Sequence, residues 1–208
     1  MSQLLIVEHP LLQESLARLR DKDTPPEEFR KNMESAGLLL GLRALEELKT
    51  HPGRVETPLR TAVAHRVKDP IVLTVILRAG LGLLPEISRA LPRARIGHIG
   101  LYRNEETLNP IRYYVRLPKG LKDSFVLLLD PMLATGGSAA EAIRILKTDG
   151  ARHIVLVSLV ATKPGIRRVH RDHPDVRIVV AAVDPILNKH GYIVPGLGDA
   201  GDRLFGTT

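Results

Sequence analysis

The chain has 208 residues, 44% of them apolar and 25% charged, which suits one folded domain of ordinary size. It has no cysteine, which excludes disulfide scaffolds, thiolate zinc sites and cysteine nucleophiles; it also has no apolar run of the roughly 18 residues a membrane span needs. Its formal net charge of +7 invites a polyanionic partner, but aromatics at 3% leave few platforms for stacking single-stranded nucleic acid.

The first third of the chain reads helical. Leu11–Leu19 is a short amphipathic piece. Pro25-Pro26 then opens a longer helix with Glu27 and Glu28 in its first turn, where they complement the helix dipole. Phe29, Met33, Ala36, Leu40, Ala44 and Leu48 recur at helical spacing, and the helix stops before His51-Pro52-Gly53. Beyond residue 54 short runs of Val, Ile and Leu alternate with helical stretches: Ile71–Leu77, Ile96–Leu101, Phe125–Leu129, His153–Val160 and Val176–Val183. Such alternation predicts βαβ units, hence an α/β fold with a parallel sheet buried on both faces. Tyr102–Arg116 breaks the rhythm with polar residues and Asn109-Pro110, and predicts a projecting hairpin at about 102–116. No linker or repeat interrupts the chain, so one domain over residues 1–208 is expected. With no signal-peptide core in residues 1–30, the cytoplasm is the default location.

The surplus charge is concentrated. Residues 78–116 carry 7 arginines against 3 acids, and residues 152–177 carry 6 bases against 2 acids, while the other stretches nearly balance. Each of the two stretches must face an anion or solvent. In a parallel sheet ligands sit at the carboxyl ends of the strands, which singles out three loops: Arg78–Gly82, Asp130–Ser138 and the chain from Asp184 onward.

Asp130-Pro131-Met132-Leu133-Ala134-Thr135-Gly136-Gly137-Ser138 delivers one carboxylate at a strand tip, then small and hydroxyl residues at a helix start. Backbone N–H groups there can close around an anion, the hydroxyls add donors, and the helix end supplies partial positive charge. A monophosphate fits; a Walker A loop does not, because no lysine follows the glycines. On residue types alone an ordinary strand–turn–helix with a Ser/Thr cap fits equally well. Gly196-Leu197-Gly198-Asp199-Ala200-Gly201 matches a dinucleotide fingerprint literally, but it opens no βαβ unit, since only seven residues follow Gly201. A glycine-rich loop whose backbone reads a flat heterocycle fits better. The 8 histidines form no HxH or HxxxH pair.

Val126–Ser138 (VLLLDPMLATGGS) resembles the phosphoribosyl-diphosphate (PRPP) loop of type I phosphoribosyltransferases, and its wording resembles the uracil phosphoribosyltransferase branch. The common form of that loop has a second acid where Pro131 stands here. Ile76–Gly82 (ILRAGLG), Leu101–Leu108 (LYRNEETL) and His190–Gly206 (HGYIVPGLGDAGDRLFG) agree with the same branch, and the likeness runs from His9-Pro10 to Gly206-Thr207. The resemblance implies a type I phosphoribosyltransferase fold: a parallel sheet flanked by helices, with N-terminal helices, a projecting β-hairpin and a C-terminal base-binding loop at about 184–208. It implies a reaction in which uracil and PRPP give UMP and diphosphate, with Mg²⁺ on the diphosphate.

By the same resemblance, PRPP is held by Arg78, Arg103, Asp130, Pro131, Met132, Leu133, Ala134, Thr135, Gly136, Gly137, Ser138 and Asp199. Thr135 to Ser138 take the 5′-phosphate, Asp130 the ribose, and Arg78 and Arg103 the diphosphate. Ile193, Gly198, Asp199 and Ala200 contact uracil, and Asp199 reaches Mg²⁺ directly, through its water or through PRPP. Arg78, Arg103 and Asp199 are the expected catalytic residues. Members of the family are often oligomeric, which points to a homodimer or homotetramer, and some respond to GTP as an allosteric activator. Nucleic acid and membrane are not expected partners. Two other readings stand beside this one: an RNA-binding regulator built on the same fold, and an enzyme of the fold acting on a purine.

Overall fold

A computed structural model describes residues 3–103 and 110–207, with the side chain of Arg103 outside that description. The elements in chain order are β1 (Leu4–Ile6), α1 (Pro10–Arg20), α2 (Pro26–Ala44), β2 (Thr50–Glu56), β3 (Thr61–Val67), β4 (Ile71–Leu77), α3 (Leu84–Ala90), β5 (Arg95–Arg103) and β6 (Pro110–Arg116). There follow β7 (Phe125–Leu129), β8 (Met132–Leu133), α4 (Gly137–Thr148), β9 (His153–Thr162), α5 (Lys163–Asp172), β10 (Arg177–Asp184), β11 (Ile186–Leu187), β12 (Ile193–Val194) and α6 (Ala200–Phe205).

The main sheet has the order β1-β10-β9-β7-β4-β5-β6, with the short β8 also pairing β9. Every neighbouring pair is parallel except β5 with β6. Burial on both faces explains the uninterrupted apolar runs seen in the sequence. On one face Leu73, Val75, Leu127, Leu129, Val155 and Val157 pack with Phe29, Met33 and Leu40 of α2. On the other, Val72, Val126, Leu128, Leu156 and Ile178 pack with Ile143 and Leu146 of α4 and Ile166 of α5. A fully buried leucine such as Leu127 contributes about 1.5–3 kcal/mol relative to an exposed one, so these alternating sets hold the strand ends where the loops need them.

The long N-terminal helix is α2, with Pro25 at its N-cap position, but it ends at Ala44 before a single 3₁₀ turn, Leu45–Glu47, so Leu48 falls outside it, and His51-Pro52-Gly53 lies within β2. β4 and β7 occupy the residues their hydropathy marks. The antiparallel pairing of β5 with β6 runs from His98↔Arg116 to Arg103↔Pro110. The arms of the expected hairpin are therefore laid into the edge of the sheet, and its tip, residues 104–109, lies outside the described residues.

A second hairpin, β2–β3, is not announced by the sequence. It pairs Thr50↔Val67 through Glu56↔Thr61. Its residues are exposed or half-buried throughout, and the half-buried ones, Gly53, Val55, Ala62 and Ala64, are mostly small, so hydropathy does not mark it. Among the described residues no helix is long and apolar enough to cross a membrane.

Candidate active site

Two of the three loops singled out by topology meet at the carboxyl end of the sheet. Ile76, Leu77, Arg78 and Ala79 from the end of β4 line one cleft with Leu101 of β5, Asp130 and residues 132–139. The Leu77–Arg78 peptide is cis. A Cβ at Gly80 would fall 2.5 Å from the Leu129 carbonyl, so the Arg78–Gly82 turn lies tight against the tip of β7.

The Asp130–Ser138 loop is held rigidly from beneath. The Asp130 N–H donates to the Val157 carbonyl over 3.1 Å, and the Pro131 carbonyl accepts from Leu159 and Val160 N–H, both at 3.0 Å. Pro131 is buried and lines no part of the cleft; it braces the loop on β9. Met132 and Leu133 continue that attachment as β8. The Thr162 hydroxyl donates to the Ala134 carbonyl over 2.6 Å and accepts from Gly165 N–H, which ties the loop to the start of α5. Gly136 caps α4 with φ +77°, and a Cβ there would meet the Gly165 carbonyl at 2.6 Å. Only glycine combines that left-handed backbone with so close an approach.

The result is an anion cradle at the N-terminus of α4. Its first turn is Gly137-Ser138-Ala139, whose N–H groups have no partner within the helix. A Cβ at Gly137 would lie 3.6 Å from Thr135 Oγ1 and 3.4 Å from Arg168 Nη1, so a hydroxyl and a guanidinium flank the same space. Arg168 belongs to the basic stretch for which the sequence shows no partner. Its Nε is buried without a hydrogen bond, and the nearest carboxylate, Asp172, is 3.9 Å away.

The third loop joins the cleft through Arg78. Its Nη2 donates to Asp202 Oδ1 over 3.0 Å, and its guanidinium carbon lies 5.8 Å from the centre of the Phe205 ring. A Cβ at Gly201 would fall 3.6 Å from Arg78 Nη2 and 3.3 Å from Asp199 Oδ1, so these groups converge on one space. Asp199 is the N-cap of α6, accepting from Asp202 N–H over 3.0 Å. The Asp202 carboxyl is held below the ordinary carboxylate range by the Thr207 hydroxyl and by Arg78. Ile193 and Ala200 are buried, whereas Gly198 and Asp199 are exposed. Arg103 ends β5, and its side chain lies outside the described residues.

Among the described residues no cluster of three or more His, Cys, Asp or Glu could cage a metal ion. The acids at the site are Asp130 in the cleft and Asp199 and Asp202 beside Arg78, the last already paired with it. That sparse donor set fits Mg²⁺ arriving on a substrate diphosphate, because Mg²⁺ is commonly held by one or two carboxylates with phosphate oxygens and water.

A parallel sheet with a strand-tip carboxylate, a glycine-rich loop at a helix N-terminus and an arginine-bearing loop opposite is the architecture of the type I phosphoribosyltransferases. An adenine phosphoribosyl transferase of Trypanosoma brucei, solved with AMP, pyrophosphate and ribose-5-phosphate, shares this fold at a TM-score of 0.60 and 14% identity, covering 88% of this chain and 84% of that one. A protein of Aquifex aeolicus superposes with a TM-score of 0.94 at 37% identity over 99% of both chains. The sequence profile of the uracil phosphoribosyltransferase family matches residues 6–207. Relatives named uracil phosphoribosyltransferase include one of Thermus thermophilus, 48% identical over 99% of each chain, and one of Bacillus cytotoxicus, 48% identical over 100% of each. The chain belongs to the uracil phosphoribosyltransferase family.

Proposed function

We infer that the protein transfers the 5-phosphoribosyl group of PRPP to uracil, giving UMP and diphosphate, the salvage reaction of this family. The observation that carries this reading is the joining of a phosphate cradle to a backbone-rich C-terminal loop through one arginine, Arg78.

The roles follow from charge. Residues 135–138, at the N-terminus of α4, hold the 5′-phosphate, with Arg168 adding positive charge beside them. Asp130 meets the ribose. Arg78 and Arg103 take the diphosphate, since a guanidinium's forked donors suit its oxygens. Mg²⁺, when bound with PRPP, neutralises part of the leaving group's charge. Cleavage at the anomeric carbon develops oxocarbenium character, and fixed cations stabilise the diphosphate as it departs. Ile193, Gly198 and Ala200 present backbone donors and acceptors to the uracil edge, and Asp199 stands where the base and the diphosphate meet.

A homo-oligomer belongs to the same proposal. The β2–β3 ribbon has no core of its own, and Leu59 and Val63 are 95% and 72% exposed. A lone two-stranded ribbon is marginal in water, so a second copy of the chain is its expected cover. A cytoplasmic setting and activation by GTP remain expectations of the family resemblance.

The test is incorporation of isotope from uracil into UMP, with PRPP and Mg²⁺ present and cytosine and hypoxanthine as controls. Label should enter UMP from uracil alone. Incorporation from hypoxanthine instead would overturn the reading in favour of a purine enzyme.

A further inference from the structure

We propose that Arg20 and Asp184 are positioning residues for the base: together they lock the loop at Gly196, and the protein's affinity for uracil depends on that lock. The inference rests on the reading above, in which Ile193 and Gly198–Ala200 hold uracil.

Asp184 ends β10 at the ligand-bearing edge of the sheet, yet its carboxylate is buried and fully engaged. Oδ1 accepts from Arg20 Nη2 at 2.7 Å. Oδ2 accepts from Arg20 Nη1 at 2.8 Å and from Gly196 N–H at 2.8 Å. Arg20 Nη1 also donates to the Gly196 carbonyl at 2.8 Å. The two side chains thus hold both backbone groups of a single residue, from positions 176 and 12 residues away from it.

That residue lies between the two sets of uracil contacts. Gly196 has φ +57°, and a Cβ there would fall 2.2 Å from the Ile193 carbonyl, so the turn tolerates no side chain. A second fastening comes from Arg203. It donates to the Leu197 carbonyl over 2.9 Å and to the carbonyls of Leu19 and Asp21, and it lies 4.4 Å over the Phe29 ring. Leu19, Arg20 and Asp21 therefore form a post at the end of α1 on which the base loop is mounted.

Backbone groups recognise a pyrimidine edge only when held to within about 0.5 Å. A loop bearing positive-φ glycines at 196 and 198 has no such rigidity of its own. The Arg20 fork settles the ordering cost in the folded protein, before the base arrives. Lysine at position 20 would keep the charge but lose the planar fork that spans carboxylate and carbonyl.

Steady-state kinetics with both substrates varied, run well below every variant's Tm, tests this. In Arg20→Lys and Asp184→Asn the KM for uracil should rise at least about tenfold, with the KM for PRPP within about twofold of wild type. Leu146→Ala, which hollows the opposite face of the sheet, serves as a destabilised control and should leave the ratio of the two KM values unchanged. A parallel rise of both KM values, the same uracil effect in Leu146→Ala, or no effect in folded variants would overturn the proposal. Failure of both variants to fold would also overturn it, marking the pair as a fold element only. A wild-type protein that forms no UMP would instead refute the functional reading itself.

Discussion

Arg78 and Asp202, 124 positions apart, form an ion pair with Nη2 3.0 Å from Oδ1, and this pair ties the tip of β4 to the last helix. The Thr207 hydroxyl donates to the same oxygen. Arg78 remains 53% exposed at its side chain, so Asp202 orients the guanidinium without burying it. In the role proposed for Arg78, an incoming diphosphate would compete with Asp202 for the same donors.

Replacing Arg78 with alanine should therefore abolish most turnover while the far-UV circular dichroism and Tm stay near wild type. Asp202→Asn should act in the opposite sense. Exposed pairs contribute little, so freeing Arg78 should lower the KM for PRPP by no more than about fivefold. A rise in that KM would show that Asp202 assists binding.

The loop's geometry makes Gly136→Ala costly. Its left-handed backbone and the 2.6 Å approach to the Gly165 carbonyl leave a methyl group no room. Strain of about 1–3 kcal/mol is expected in denaturant melts, with a larger loss in PRPP binding because the cradle must shift.

Arg168→Ala should raise the KM for PRPP about tenfold at low salt, equivalent to about 1.4 kcal/mol, and less at high salt. Arg171 provides the comparison. It is exposed on the same helix and paired with Asp172 at 2.8 Å, and its removal should leave the KM unchanged within about twofold.

Acid sensitivity should report the Asp184 clamp. Burial alone would raise this carboxyl, but the Arg20 fork and the Gly196 N–H outweigh it and hold the group below its ordinary value of 3.8. A depressed folded-state pKa adds stability above the unfolded value and loses it as pH falls through the folded one. Wild type should thus exceed Asp184→Asn in stability by a constant margin above about pH 5, and the margin should shrink as pH drops below 3.8. Urea melts across pH 2–7 measure it.

Chelation separates a metal carried by substrate from one resident in the protein. EDTA should leave the Tm of the protein alone unchanged and stop UMP formation, with Mg²⁺ restoring turnover. A drop in Tm on chelation would point to a resident ion.

Much of the architecture was legible because hydropathy reports burial within a single element. β4 and β7 bury side chains on both faces, so their apolar runs end where the strands end. The 130–138 loop was legible through its residue types, which suit one strand–turn–helix geometry. The β2–β3 ribbon was not, since its half-buried face, Gly53, Val55, Ala62 and Ala64, is built mostly of small residues and none of them is fully buried. Pro131 stands in the motif, but only the fold shows that its carbonyl accepts from Leu159 and Val160 N–H of β9.

By itself, then, the sequence determined the α/β class, the family and the strand–turn–helix at residues 130–138, all properties of contiguous residues. Its two basic stretches were visible only as counts. The tertiary structure alone decided that Arg168 of the second stretch comes beside Thr135, that Arg78 is held by Asp202, and that Arg20 and Asp184 grip Gly196. Periodicity records which face of an element is buried. It cannot record which side chain of one element meets the backbone of another, because that depends on how the layers close around the sheet.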